Sequence, residues 1–141
     1  MKKITNFACI VLILLNFSCE KETELDLVPI DYLTAGNMKT WKLSYYKEKG
    51  KDVLLDCYKD DTFYFNKKTK LYSWNINEIK CFDNDSNQSF PFEISEDNKI
   101  LKINGFDYKV NKLEINSLEI EIEIGSNFIE LGYIPNRVGS K

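Results

Sequence analysis

Along most of this chain, apolar and polar residues alternate with a period of two. Trp41, Leu43 and Tyr45 interleave with Thr40, Lys42 and Ser44, which predicts a strand with one apolar face. Phe63 and Phe65 mark a second strand, and Tyr72, Trp74 and Ile76 a third. Phe90, Phe92 and Ile94 begin a fourth, Leu101 with Ile103 a fifth, and Phe106, Tyr108 and Val110 a sixth. Asn104-Gly105 between the last two is a two-residue hairpin signal, since both positions tolerate positive φ. The apolar phase then slips by one at Leu113 and Ile115, which predicts a bulge. From Leu118 to Ile124 aliphatics face one way and Glu119, Glu121 and Glu123 the other. Phe128 to Ile134 supplies an eighth strand before Pro135.

Polar stretches separate these runs. Lys47–Asp56 is a loop centred on Gly50, and Asp83 to Gln88 is a solvated loop. Eight short antiparallel strands without a long helix predict an all-β domain, either an up-and-down barrel or a sandwich. Side chains can fill an eight-stranded barrel, or it can hold one small ligand. The glutamate column on the Leu118–Ile124 strand reads as the wet side of a half-buried strand, where like charges discourage edge pairing. An acidic docking face is the other reading of it.

The front of the chain has a different pattern. Lys2 and Lys3 precede Phe7 to Leu15, nine apolar residues. That length suits a signal peptide, whereas a spanning helix needs about 20. The run ends Asn16-Phe17-Ser18-Cys19, which resembles a bacterial lipobox: the peptide is cut before Cys19 and the thiol is acylated. Asn16 and Phe17 depart from the strict pattern at the third and second positions before the cysteine. Buried acyl chains contribute roughly 0.8 kcal/mol per methylene, so two or three chains hold a protein at a membrane. Glu20 to Glu24 is acidic and resembles the surface-export signal of Bacteroidetes-type lipoproteins; a plain solvated tether is the alternative. The organisation expected is a lipoprotein signal peptide over residues 1–18, a lipidated tether over 19–32, a barrel over 33–135 and a frayed tail over 136–141.

Composition narrows the function classes. The full chain has 19 basic and 22 acidic residues; removing residues 1–18 takes away Lys2 and Lys3 and no acid, leaving 17 and 22. A net charge of −5 without a basic face argues against nucleic acid as a partner. Cys9 falls in the peptide and Cys19 at the lipid site, so Cys57 and Cys81 remain as an even pair in an oxidising compartment. A structural disulfide is the expectation, since a redox-active pair usually has a C-x-x-C spacing.

Little in the chain suggests catalysis. There is no histidine, which removes Ser-His-Asp and Cys-His mechanisms and the usual zinc and copper sites. Asp56, Asp60 and Asp61 could be read as a carboxylate pair, yet Asp60 and Asp61 are adjacent and point apart on a strand. Asp61 is expected to cap backbone amides near the cysteine bridge. Asp83-x-Asp85-x-Asn87 imitates a calcium loop, but Gln88 and Ile94 stand where that loop needs glycine and a bidentate glutamate. No metal, cofactor or catalytic residue is assigned.

Several segments together resemble the bacterial lipocalin-like lipoprotein family. They are Leu33-Thr34-Ala35-Gly36 with Trp41-Lys42-Leu43, Cys57-Tyr58-Lys59-Asp60-Asp61-Thr62-Phe63-Tyr64-Phe65, Cys81, and the closing section from Tyr108 through Leu118-Glu-Ile. The resemblance covers roughly residues 33–124. Departures are the placing of Gly36, the Asn66-Lys67-Lys68-Thr69-Lys70 turn without Asp-Gly, and Phe90 and Phe92 where tryptophan is common. The resemblance implies a calycin-type β-barrel that binds a small apolar molecule. The alternating aromatics Trp41, Tyr45, Phe63, Phe65, Tyr72, Trp74, Phe92, Phe106 and Tyr108 either fill that barrel or line a pocket in it. Trp41, Phe63, Phe65 and Trp74 are the candidate ligand-binding residues. The expected function is a non-enzymatic, membrane-anchored cell-envelope lipoprotein of the outer membrane that binds a small hydrophobic ligand. The alternative is a displayed module with a filled barrel that binds another envelope protein.

Overall fold

The computed structural model describes residues 27–136, so Cys19 and the rest of the front end lie outside the described residues. The elements run α1 (Pro29–Thr34), β1 (Met38–Glu48), β2 (Lys51–Asp52), α2 (Asp56–Lys59), β3 (Thr62–Asn66), β4 (Leu71–Asn75), β5 (Gln88–Ile94), β6 (Ile100–Ile103), β7 (Phe106–Glu114), β8 (Ser117–Ile124) and β9 (Asn127–Pro135). Each strand from β3 onward pairs antiparallel with the next, and β1 pairs with both β3 and β9. Trp41 takes part in both ladders, opposite Phe63 on one side and Pro135 on the other. The result is a closed, antiparallel, eight-stranded lipocalin-like barrel. The two-residue β2 only folds back on the end of β1, through a turn with Lys49 and Gly50 at positive φ.

Local chemistry accounts for most of these elements. Asn104 and Gly105 have φ of 52° and 81°, the mirror-image turn that matches strand twist, and they join β6 to β7. The expected bulge lies slightly upstream of Leu113: the β7–β8 register shifts between Val110 and Lys112. Asn111, the extra residue, uses its side chain to donate to Glu121 at 2.5 Å. Glu121 also pairs with Lys109 at 2.7 Å, and these donors hold its carboxyl below the usual range.

The structure departs from the sequence pattern in three places. Residues 29–34 form a helix rather than linker, so the folded unit begins upstream of Leu33. Residues 56–59 form a second short helix within what reads as loop and acidic turn. The third departure is in β1, whose register against β9 shifts between Leu43 and Tyr45. Ser44 absorbs an extra position, so Tyr46 turns inward and Tyr45 lies outside.

There Tyr45 crosses Gly132 on β9 and donates to Glu119 on β8 at 3.3 Å. A Cβ at position 132 would run into the Tyr45 ring. Gly132→Ala is therefore expected to destabilise the barrel by about 1–3 kcal/mol in urea unfolding, the usual cost of overpacking. In a Tyr45→Ala background the same change should cost little, because nothing is left to collide with. Equal costs in both backgrounds would exclude the collision as the cause.

The two ends of the barrel are built differently. At one end α1 packs beneath β1 and β3, with Leu33, Thr34, Trp41, Phe65, Leu101 and Leu118 fully buried. Lys67 pairs with Asp31 at 2.6 Å and ties α1 to the β3–β4 turn. At the other end the wall made by β3 and β4 is short, only five residues each, and α2 with the long β4–β5 connection takes its place. One end is a floor and the other a mouth.

Candidate functional site

The barrel holds a cavity of about 270 Å³ towards its mouth. Phe63 and Trp74 line it, with Leu43, Tyr46, Tyr58, Tyr72, Tyr108, Leu131, Tyr133 and three isoleucines from β8 and β9. A second lobe of similar volume adjoins it, sharing Tyr72, Trp74, Tyr108, Leu131 and Tyr133 and adding Gln88, Phe90 and Phe106. Both are open rather than sealed voids, and their walls are aromatic and aliphatic with phenolic hydroxyls.

Of the four candidate lining residues, the structure brings Phe63 and Trp74 to the cavity. Trp41 and Phe65 lie in the floor instead, and this corrects the expectation for both. Trp41 has no exposed surface, and its Nε1–H donates to the Leu33 carbonyl of α1 at 3.0 Å. Phe65 meets Phe92 edge-on at 5.0 Å and Tyr72 at the same distance, which closes the space above it. Inward alternation identified the right face, but these two sit one level too deep.

The residues that the pattern did not single out are Tyr46, Tyr58 and Tyr133. Tyr46 was hidden by the bulge at Ser44, and Tyr58 by its place in α2 rather than a strand. Tyr133 follows Ile129 and Leu131 at period two along β9, but Phe128 and Ile134 on the opposite phase mask which face is inward. Its ring meets Phe63 edge-on at 5.4 Å across the lumen.

The mouth is held by a polar clamp. Cys57 of α2 and Cys81 of the β4–β5 connection form a disulfide with their Cα atoms 5.3 Å apart. Asp60 accepts the amides of Glu78 and Ile79 at 3.0 and 3.1 Å, and its carbonyl accepts from the Asn77 side chain. Asp61, almost fully buried, accepts Trp74 Nε1–H at 2.7 Å and the Asn77 amide at 3.3 Å. Burial raises the Asp61 carboxyl, and the two donors partly offset that. Both aspartates thus cap backbone, and Asp61 also orients Trp74 in the cavity wall. In the same connection Asp85 accepts the Phe82 amide and Asn87 the Ile76 amide, so the calcium-like run binds its own backbone.

Burial also sets the tyrosine chemistry. Tyr45 and Tyr46 are pushed up to about 12, chiefly by desolvation and then by Glu119 and Glu48 respectively. Tyr72, buried in the cavity wall, stands well above its ordinary value through desolvation, and Tyr133 is raised for the same reason. An unfolded phenol ionises near 10. Above that pH the unfolded chain loses protons that the folded barrel retains, so stability is full below about pH 10 and falls as pH rises towards the folded values. Urea midpoints measured across this range should drop steeply above pH 10, with buried phenols ionising only as the barrel opens. A midpoint flat to pH 12 would contradict this.

No family model matches the chain, and no solved structure matches it. Among curated proteins it is similar to a probable serine/threonine-protein kinase, gdt4, of Dictyostelium discoideum, 31% identical over 115 residues. The alignment takes in 69% of this chain and 7% of that protein, so the chain spans a small part of its relative's length. The kinase activity in that name belongs to that protein.

Proposed function

We propose that this chain is a lipid-anchored cell-envelope protein, non-enzymatic, whose barrel binds a small hydrophobic molecule. The observation that supports this best is the aromatic cavity, which is open at the mouth and closed at the other end by α1 and Trp41. A barrel serving only as a scaffold gains stability by filling its lumen to native density. Here the floor is filled in that way and the upper half is not. The lipobox-like run ending at Cys19 supports the anchor, and the floor end, where Leu27 enters α1, is where such a tether would join the barrel.

Native mass spectrometry on the mature protein, purified oxidised from an envelope fraction, tests the ligand. An excess mass that disappears on denaturation is expected. A bare mass after incubation with a mixture of lipids and hydrophobic metabolites would overturn the reading. It would favour the second reading instead, a displayed module that binds another envelope protein. The observation behind that reading is the exposed apolar rim at the mouth, formed by Leu55, Ile79, Phe82, Phe106, Ile124 and Phe128. For the anchor, Cys19→Ser should abolish fatty-acid labelling, and unchanged labelling would rule the lipid site out.

A further inference from the structure

Resting on that reading, we infer that the cavity selects an electrically neutral aromatic molecule bearing a hydrogen-bonding group, and rejects charged amphiphiles such as fatty-acid anions. The first ground is what the walls lack. Every residue lining the main cavity is aliphatic, aromatic or tyrosine, and the second lobe adds only the neutral amides of Gln88 and Asn104. An ion drawn in would lose its hydration and gain no counter-charge, which costs several kcal/mol in an apolar site.

The second ground is the sign of the nearest charges. Asp61 and Asp85 act on Tyr58 at the mouth, and Glu48 acts on Tyr46. A carboxylate entering there is repelled as well as unpaired. A cation is not repelled, but no acid lines either lobe to pair with it directly. Asp61 is engaged by Trp74 and Asn77, Glu48 by the Tyr46 hydroxyl at 2.8 Å, and Asp85 by the Phe82 amide. The cation too loses its hydration without a contacting counter-charge.

The third ground is shape. Phe63 stacks on Trp74 at 5.9 Å and 22° and on Tyr72 at 6.1 Å and 19°. The three near-parallel rings form a stacked ladder on one wall, and a ligand ring can extend that ladder or meet its edges in the offset and edge-on geometries that aromatic pairs prefer. The fourth ground is where the hydroxyls fall. Tyr72, Tyr108 and Tyr133 line both lobes, and their hydroxyls are close enough to perturb one another. Each phenol can donate once and accept as well, and these stay protonated at neutral pH because burial disfavours the anion. A ligand carbonyl, ether or hydroxyl placed where the lobes meet finds partners of either kind.

Displacement of the fluorescent probe N-phenylnaphthylamine from the full mature protein separates the alternatives. The competitors are naphthalenemethanol, naphthoate and naphthylmethylammonium, which share a ring system and differ in charge. Naphthalenemethanol should compete best, with both ions weaker by roughly tenfold or more. Either ion competing as well as the alcohol would overturn the selectivity and leave the ligand-binding proposal standing. Failure of the probe to bind at all would overturn both. Tyr133→Phe should weaken naphthalenemethanol by roughly threefold to tenfold, the worth of one hydrogen bond, and leave methylnaphthalene unchanged. Tyr108→Phe, at a half-buried ring, serves the same purpose should Tyr133→Phe fail to fold. Equal affinities before and after both changes would remove the hydroxyls from the site.

Discussion

Trp41→Ala should cost about 3–5 kcal/mol in urea unfolding, the range for deleting a fully buried large aromatic. Typical domains have a stability of about 5–15 kcal/mol in total, so this change alone brings the barrel close to unfolding. Three losses combine at that position. The indole fills the floor between β3 and β9, and its absence opens a cavity where the barrel closes on itself. Its N–H leaves the Leu33 carbonyl without a donor. Lys39, whose ammonium lies 3.9 Å from the centre of the indole ring, loses the surface it packs on. Trp41→Phe keeps a ring but loses the N–H and part of the volume, and should cost less than Trp41→Ala, with about 1–2 kcal/mol of it for the orphaned carbonyl. A cost for Trp41→Ala below 1 kcal/mol would mean that α1 and the barrel closure do not depend on each other, contrary to the packing described above.

The second large effect is expected from Cys57→Ser with Cys81→Ser. The bridge closes a loop with a sequence separation of 24, for which the chain-entropy relation gives roughly 3–4 kcal/mol. The Asp60 and Asp61 contacts remain in that variant and still fasten α2 to the connection after β4. The loss should therefore fall mainly on the unfolded-state term, with the barrel retained and the mouth more exchangeable. Hydrogen exchange would report the global loss as faster exchange of the slowest amides in β8 and β9, which open only on unfolding, and the loosened mouth as lost protection over residues 55–62 and 76–87. Slow amides in β8 and β9 that keep their full protection would show that the bridge adds nothing to global stability. Urea midpoints with and without reductant give the same comparison on the unaltered chain.

How far the fold was legible differs from element to element. All eight barrel strands follow from period-two runs, and Asn104-Gly105 from the φ its turn requires. The slip near Leu113 is a real bulge, displaced to Asn111. The helices were not legible, for a common reason. Helices of six and four residues are too short to be stable in isolation. α1 exists because Leu33 and Thr34 are buried under the barrel, and α2 because the Cys57–Cys81 bond and the Asp60 and Asp61 contacts fasten it to the connection after β4. Neither cause is local. The period-two pattern places Tyr45 on the inner face, and the bulge at Ser44 that turns it outward has no signature in the neighbouring residues. It belongs to the change in β1 from pairing with β3 to pairing with β9.

The candidate site was legible by half. Phe63 and Trp74 line the cavity, whereas Trp41 and Phe65 close its floor. Alternation states which side of a strand a residue occupies, because successive Cβ atoms point to opposite faces. It carries no information about height along the barrel axis, which depends on how far each strand is staggered against the next.

By itself the sequence determined the all-β class, the strand count, most inward-facing residues and the pairing expected of Cys57 with Cys81. These rest on backbone geometry and residue chemistry that act within a strand or between two marked positions. Tertiary structure alone decided that the barrel closes through β1, that α1 plugs one end, and that Trp41 and Phe65 are floor rather than wall. It also brought Tyr72, Tyr108 and Tyr133 from three different strands to one place. Each of these depends on strand stagger and closure, which arise from contacts between residues far apart in the chain.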